Sequence, residues 1–585
     1  MTRVFDDPAA FADEALAGFA AAYRNYVILV NGGVVRAAAS RPGQVAVVIG
    51  GGSGHYPAFA GLVGVGLATG SVCGKIFASP SAGQAYRVAR AAESGGGVLF
   101  SYGNYAGDRM QFGQAEQRLR SEGIDARTVV VTDDIASAPV EQIDERRGIA
   151  GDLTVFKVAG SAAERRLALD EVERLARKAN ARTRTLGVAF RGCTLPGASA
   201  PLFTVTPGQM SIGLGIHGEP GISDVPMPAA RDLAELLVER LLRERPTDST
   251  DRAVVLVNGL GTVKYEELFL LFGNVAAQLA KRGIEIADVE CGELVTSLDM
   301  SGLSLTLFWV DEELEALWLA PADTPAYRTP HRPGVERRRV IALDGTTDIA
   351  REPATAASQH LARLVGLALE AVAEAVHKHE HELGDLDAVA GDGDHGAGMC
   401  RGADGAVEGA SAALDRGAGV HELLMVAGDQ WSEQAGGTSG ALWSAALMAA
   451  ASSLGNRESY DREDMVKAAV AARDAVVALG NAEPGDKTVV DALYPFVETL
   501  RTRISLGSSV IQALRTAAEA ATRAAAETAP LRPRKGRARP LADRSVGTPD
   551  PGAVSFALIA TALAKKVSLF ADSYGGTGSA ARSQS

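Results

Sequence analysis

Three aspartates, Asp387, Asp392 and Asp394, fall within eight residues of LDAVAGDGDHGAG, interrupted by Gly391 and Gly393. Carboxylates this close repel one another unless water or a cation neutralises them, and a hard divalent ion is the natural remedy. An EF-hand beginning at Asp392 would need Asp or Asn at 396 and Glu at 403, where Gly396 and Ala403 stand, so a calcium loop of that type is excluded. A few carboxylates without a closed cage fit Mg²⁺ shared with nucleotide phosphates; a solvated acidic turn is the plainer alternative.

Three more glycine-rich turns accompany this cluster: AGGTSGAL at 435–442, GNAEPGDKTVVDAL at 480–493 and RSVGTPDPGA at 544–553. Thr438 and Ser439 offer hydroxyl and backbone donors just before an alanine-rich helical run, where a helix N-terminus favours an anion. GDKT is not a P-loop, because counting from Gly480 puts Asp486 where lysine is required. Together the turns and the aspartates point to an ATP site on helix-connecting loops, outside any Rossmann or P-loop architecture.

In the first half, the apolar run Val45–Ile49 leads into Gly50-Gly51-Gly52-Ser53-Gly54-His55. Glycines at the end of a strand let backbone N–H groups approach a ligand. A dinucleotide fingerprint from Gly50 would need glycine where His55 stands, and a nucleophile elbow around Ser53 fails at the same residue. Two further stretches could carry chemistry: NYAGDRMQFG with Asp108, and GLGIHGEPG, where flanking glycines give access to His217 as base or nucleophile. A lone histidine is more often a packed or surface residue, so both readings of His217 stand at this stage.

The elements that must hold these residues differ between the halves. Up to about residue 320, short β-rich runs such as VAVVIG, GVLFSYG and RAVVLVNG alternate with helical patterns, which predicts α/β layering. The helical pattern over 230–246 stops at Pro246 and predicts a subdomain boundary near 247. Prolines 321, 325, 330, 333 and 353 and the basic run Arg337–Arg339 predict a linker over 326–355 between domains at 1–325 and 356–585. After it, alanine and leucine at 3–4 spacing predict a helical bundle or barrel.

Composition narrows the classes. At 585 residues with 46% hydrophobic content, the chain can bury several cores, and a net charge of −13 argues against nucleic acid as the main partner. Four widely spaced cysteines indicate neither a zinc ribbon nor a disulfide framework. An acidic N-terminus without a signal-peptide core, and no apolar stretch read as long enough for a span, predict a cytoplasmic protein with no membrane partner.

These motifs, with RRGIAGD at 146–152, CTLPG at 193–197 and TSLDMSG at 296–302, resemble those of the dihydroxyacetone kinases of the single-chain, ATP-dependent type over nearly the whole chain. The resemblance implies a two-subdomain α/β substrate module joined to a barrel of eight antiparallel helices that binds Mg·ATP, usually as a homodimer. It implies that His217 adds to a ketose carbonyl as a hemiaminal, that Asp108 accepts the proton of the attacking hydroxyl and that His55 hydrogen-bonds near it. Gly51, Gly52, Ser53, Gly54 and Gly103 would line the substrate, and Asp387, Asp392 and Asp394 would hold Mg²⁺ ions. His395, Gly396, Ala397, Gly398, Thr438, Ser439, Gly480, Val489, Arg537, Asp550, Pro551 and Gly552 would contact the nucleotide.

The departures carry information too. Gly103 stands where the family usually has a substrate-touching lysine, Tyr56 follows His55 where glutamate is usual, and NGLGTVKYEEL and GRARPL depart from NNLGG and GRASYL. These features are similar to the branch acting on the four-carbon ketose erythrulose, so the expectation is an erythrulose kinase, with a dihydroxyacetone kinase as the alternative. An FAD lyase releasing cyclic FMN, or a non-catalytic regulator, is a more remote alternative.

Overall fold

The computed structural model describes residues 4–219, 221–330, 354–535 and 542–575. It divides into two compact units, Met1–Arg339 and Val340–Ser585. The linker expected over 326–355 lies largely outside the described residues, as does Arg537.

The first unit is α/β. Its first six-stranded sheet comprises β1 (Val27–Val30), β2 (Gly33–Arg36), β3 (Ala46–Ser53), β4 (Gly70–Ile76), β5 (Val98–Gly103) and β6 (Ala126–Val131), in the order β1-β2-β4-β3-β5-β6. Parallel pairing of β4, β3, β5 and β6 buries both faces, which is why Val45–Ile49 and Val98–Phe100 read as continuous apolar runs. The chain turns from β3 to β4 on one side and to β5 on the other, so the ends of β3 and β5 form a topological switch point, the usual place for a ligand in such sheets. Helices α1 (Phe11–Ala22), α2 (Ala82–Ala92), α3 (Ala106–Ser121), α4 (Asp152–Glu164) and α5 (Leu169–Ala181) accompany this sheet. Apart from its last residue, α4 is buried along its whole length, the charged Asp152 and Lys157 included.

The second six-stranded sheet holds β7 (Thr183–Arg191), β8 (Gln209–Ile212), β9 (Ser223–Pro226), β10 (Arg252–Gly259), β11 (Glu285–Gly292) and β12 (Ser301–Trp309), in the order β11-β10-β12-β7-β8-β9. Helices α6 (Ala230–Arg243), α7 (Tyr265–Lys281) and α8 (Glu312–Trp318) and a two-stranded sheet of Ala322–Asp323 and Arg328–Thr329 follow in the same unit. The boundary expected near 247 is corrected here: β10 pairs with β12, which pairs with β7, so residues on both sides of 247 belong to one sheet. Pro246 ends a helix rather than a subdomain, and the change of sheet falls between β6 and β7.

Among the described residues the second unit is all helical: α9 (Ala356–Lys378), α10 (Glu380–Ala388), α11 (His395–Asp415), α12 (Val420–Ala435), α13 (Gly437–Leu454), α14 (Arg462–Gly480), α15 (Val490–Ser505), α16 (Val510–Glu527), α17 (Ala542–Ser545) and α18 (Pro551–Gly575). Eight of these are long, and each packs on the next in the ring α9, α11, α12, α13, α14, α15, α16, α18 and back to α9. Small residues permit the close approach: a Cβ on Gly402 would lie 2.5 Å from the Trp431 indole nitrogen. Over Pro551–Leu569, α18 is long and apolar enough to cross a membrane by length and composition, contrary to the sequence expectation that no stretch is. Its apolarity has a local cause, since Ala553, Phe556, Ile559 and Ala560 are buried in the ring.

Candidate active site

In the α/β unit the expected histidines meet. Gly54 adopts a φ of +105°, turning the chain out of β3 to deliver His55, and a Cβ on Gly52 would stand 2.7 Å from the backbone nitrogen of Ala78. His55 is buried, stacks on Phe77 with centroids 5.0 Å apart, and donates from Nδ1 to the Thr296 carbonyl at 2.7 Å. His217 arrives from the loop after β8, with its Nε2 3.0 Å from Nε2 of His55. Its Nδ1 donates to the Glu219 carboxylate at 3.2 Å, and its backbone N–H to the same carboxylate at 3.0 Å. The Tyr105 ring closes one side, edge-on to His217 at 4.6 Å.

The protonation states follow from these partners. A carbonyl and a carboxylate only accept, so both Nδ1 atoms carry hydrogens. Burial, reinforced by His217, lowers His55 to about 3, so its ring is neutral and its Nε2 bears a lone pair. Burial alone would raise Glu219, but the hydrogen bond and charge of His217 and the nearby Arg147 hold it at about 2, an anion. Two lone pairs facing each other at 3.0 Å repel, so the contact between the Nε2 atoms requires one bridging proton.

Asp108 lies in the first turn of α3, directly after β5. Burial raises its carboxyl to about 6 against the Ser79 hydrogen bond and the charge of His217, and its Oδ1 has no hydrogen-bond partner among the described residues. Ser53, expected beside the substrate, spends its hydroxyl hydrogen on the Gly74 carbonyl at 2.6 Å and has only acceptor capacity left. Glu219, Thr296 and Tyr105 contact the histidine pair and Ser79 hydrogen-bonds Asp108, and sequence reasoning singled out none of the four. Glu219 and Thr296 stand in the quoted motifs GIHGEPG and TSLDMSG, but nothing in their spacing announced their partners.

In the helical unit a cavity of about 590 Å³ gathers Asp387, Asp392, Asp394, His395, Gly398, Thr438, Ser439, Gly480, Val489, Asp550, Pro551 and Gly552. The oxygens of Asp387, Asp392 and Asp394 lie within 4.8 Å of one another, and the Gly393 N–H steadies Asp387 at 2.8 Å. Such all-oxygen, partly exposed donors fit a hard cation that keeps part of its own shell. His395 bridges Ser555 at 3.0 Å and Ser439 at 3.4 Å, tying three of the loops together. Burial raises Asp550 to about 7 although it caps α18 through the Ala553 N–H. Gly396 and Ala397 are not among the residues that line the cavity, and Gly396 faces the helix α10, where a Cβ would strike the Glu380 carbonyl. Lys487 of GDKT is committed to three carbonyls, Ala529, Leu531 and Ser545, and so staples loops.

Residues 17–326 match the Dak1 domain and residues 389–565 the DAK2 domain. The chain is 54% identical to the D-erythrulose kinase of Mycolicibacterium smegmatis, over 97% of this chain and 99% of that one. It is 52% identical to the L-erythrulose kinase of Pectobacterium atrosepticum, over 96% of each. The crystal structure of the dihydroxyacetone kinase from C. freundii in complex with AMP-PNP and Mg²⁺ superposes with a TM-score of 0.60 at 30% identity, covering 96% of this chain and 99% of that one. The fold and these relatives define a phosphotransferase built from an α/β unit and a helical unit. The chain belongs to the dihydroxyacetone kinase family.

Proposed function

We propose that the protein transfers the γ-phosphoryl group of ATP to a terminal hydroxyl of erythrulose, held as a hemiaminal on His217. The observation that carries this reading is the His217–His55 contact, with Nδ1 of His217 anchored on Glu219. In this mechanism the bridging proton moves to Nε2 of His55, and the freed lone pair on Nε2 of His217 attacks the ketose C2. The N–C bond forms, the C=O π pair becomes an oxyanion, and His55, a strong acid once protonated, returns the proton to that oxygen. The ring left cationic on His217 faces the Glu219 carboxylate, which offsets the charge. Glycerol lacks the carbonyl and is refused at this step.

Asp108 then accepts the hydroxyl proton as that oxygen bonds to phosphorus and the bond to ADP breaks, a role worth about 10²–10⁴-fold. Mg²⁺, when bound at Asp387, Asp392 and Asp394, supplies charge neutralisation for the phosphates. His395, Thr438, Ser439 and Asp550 position the nucleotide in the helical cavity, and Gly51, Gly52 and Gly54 let the ketose loop pack closely against Phe59, Phe77 and Ala78. The absence of a side chain at Gly103 supports a tetrulose over dihydroxyacetone. A homodimer and a cytoplasmic location, which suits four free thiols, complete the reading. Steady-state kinetics with D- and L-erythrulose and dihydroxyacetone test it: kcat/KM is expected to be highest for an erythrulose, and a dihydroxyacetone value well above both enantiomers overturns the assignment.

A further inference from the structure

Three of the nine histidines of the chain fall in the six-residue tract His377-Lys378-His379-Glu380-His381-Glu382, where α9 gives way to α10. Short histidine-rich tracts are a composition that suits metal ions. The reaction proposed above uses none of these residues.

Packing brings a thiol to the tract. Cys400, on α11, is buried to 5% exposure, and α11 packs on both α9 and α10. One ligand atom from each of His377, Glu380 and Cys400 lies within 4.8 Å of the other two. The thiol hydrogen-bonds the Glu380 carboxylate. Asp404, one turn after Cys400 on the same helix, holds Nε2 of His377 at 2.8 Å. A carboxylate only accepts, so that nitrogen carries the hydrogen and Nδ1 of the neutral ring keeps a lone pair. A histidine whose other ring nitrogen donates to a carboxylate is the usual form of a metal ligand.

The donor set selects the ion. Thiolate and imidazole favour Zn²⁺, whereas the all-oxygen group of Asp387, Asp392 and Asp394 favours Mg²⁺. Zinc bonds of about 2.0–2.3 Å set tetrahedral ligand atoms about 3.3–3.8 Å apart, so closing the group by at most about 1.5 Å completes the geometry. His377, with its side chain 48% exposed, has room to turn and leaves the fourth position to water.

We propose that His377, Glu380 and Cys400 form a Zn²⁺ site, with Asp404 orienting His377 from behind. The zinc–sulfur bond forms as the Cys400 proton leaves to buffer, and the ion takes the place of that proton between sulfur and the Glu380 oxygen. It ties the end of α9, the start of α10 and the first half of α11 together. Helix α10 carries Glu380 at its start and Asp387 near its end, about 10 Å apart along the axis. The zinc therefore fixes the helix that presents Asp387 to the cavity.

Untagged full-length protein, stripped of metal, is titrated with Zn²⁺ and, for its spectrum, with Co²⁺. One tight equivalent is expected, with a thiolate-to-cobalt charge-transfer band and a higher melting temperature with Zn²⁺. Cys400→Ser is expected to abolish the band, and Asp404→Ala to weaken Zn²⁺ binding about tenfold or more. His377→Ala, at an exposed position, serves if the serine variant does not fold. An Asp387→Asn/Asp392→Asn double variant is expected to keep both the ion and the band. No tight binding, binding without a thiolate band, binding unchanged in Cys400→Ser or His377→Ala, or loss of the ion in the aspartate variant each overturns the proposal. No ketose or nucleotide enters the measurement, so its outcome is independent of the proposed function.

Discussion

At the scale of single residues, the reading rests on which atoms can hold protons. On the proposed mechanism His217→Ala removes the atom that bonds C2, and because the ring is partly exposed the fold is expected to survive. Turnover of ketoses is expected to fall by about 10²-fold or more, and discrimination against glycerol to vanish. Phosphorylation assays on both substrates check this, and unchanged rates and selectivity would falsify the hemiaminal. Asp108 must be ionised to accept a proton, and its carboxyl sits at about 6. Activity is therefore expected to rise with pH through about 6, tenfold per unit on the acid limb, and Asp108→Asn to lose both the rate and that limb. A pH profile of kcat/KM for the two proteins decides it. His55, Asp108 and His217 were legible as residues that could do chemistry, because glycines on their flanks advertised access. Cys400 was not: it stands alone in the sequence, and it meets His377 and Glu380 only once α11 is packed against α9 and α10.

Elements place these residues. The buried run of β3 ends in glycines because the backbone of Phe77–Ala78 comes too close for any side chain at Gly52. Gly52→Val is expected to push the loop that carries His55 away from His217 and lower kcat/KM by about tenfold or more, with a loss of thermal stability. Kinetics alongside melting curves test this, and a variant with wild-type kcat/KM shows that the loop does not need the close approach. Strands and helices were readable from period and apolar runs, whereas their neighbours were not. Pro246 looks like a domain boundary along the chain, yet β10 inserts beside β12 within the sheet that β7 began. Strand order depends on long-range pairing, which local composition does not encode.

Over the whole molecule, the chain carries two chemistries on two architectures. Four separate loops of the helical ring converge on one cavity. AMP-PNP with Mg²⁺ at about 100 times its Kd is expected to stabilise the protein by about 2.7 kcal/mol, and EDTA or an Asp387→Asn/Asp392→Asn double variant to abolish the shift. Scanning calorimetry measures it, and a full shift without divalent ion would remove the carboxylates from the nucleotide site. The sequence by itself determined the division into an α/β half and a helical half, the aspartate cluster and the glycine-flanked histidines, because periodicity, like-charge crowding and glycine flanks are local properties. Only the tertiary structure decided that His55 and His217 face each other through their Nε2 atoms, that Glu219 and Thr296 set their hydrogens, and that Lys487 staples loops while Cys400 meets Glu380. Those facts are distances between residues remote in the chain, and only packing brings them within hydrogen-bonding range.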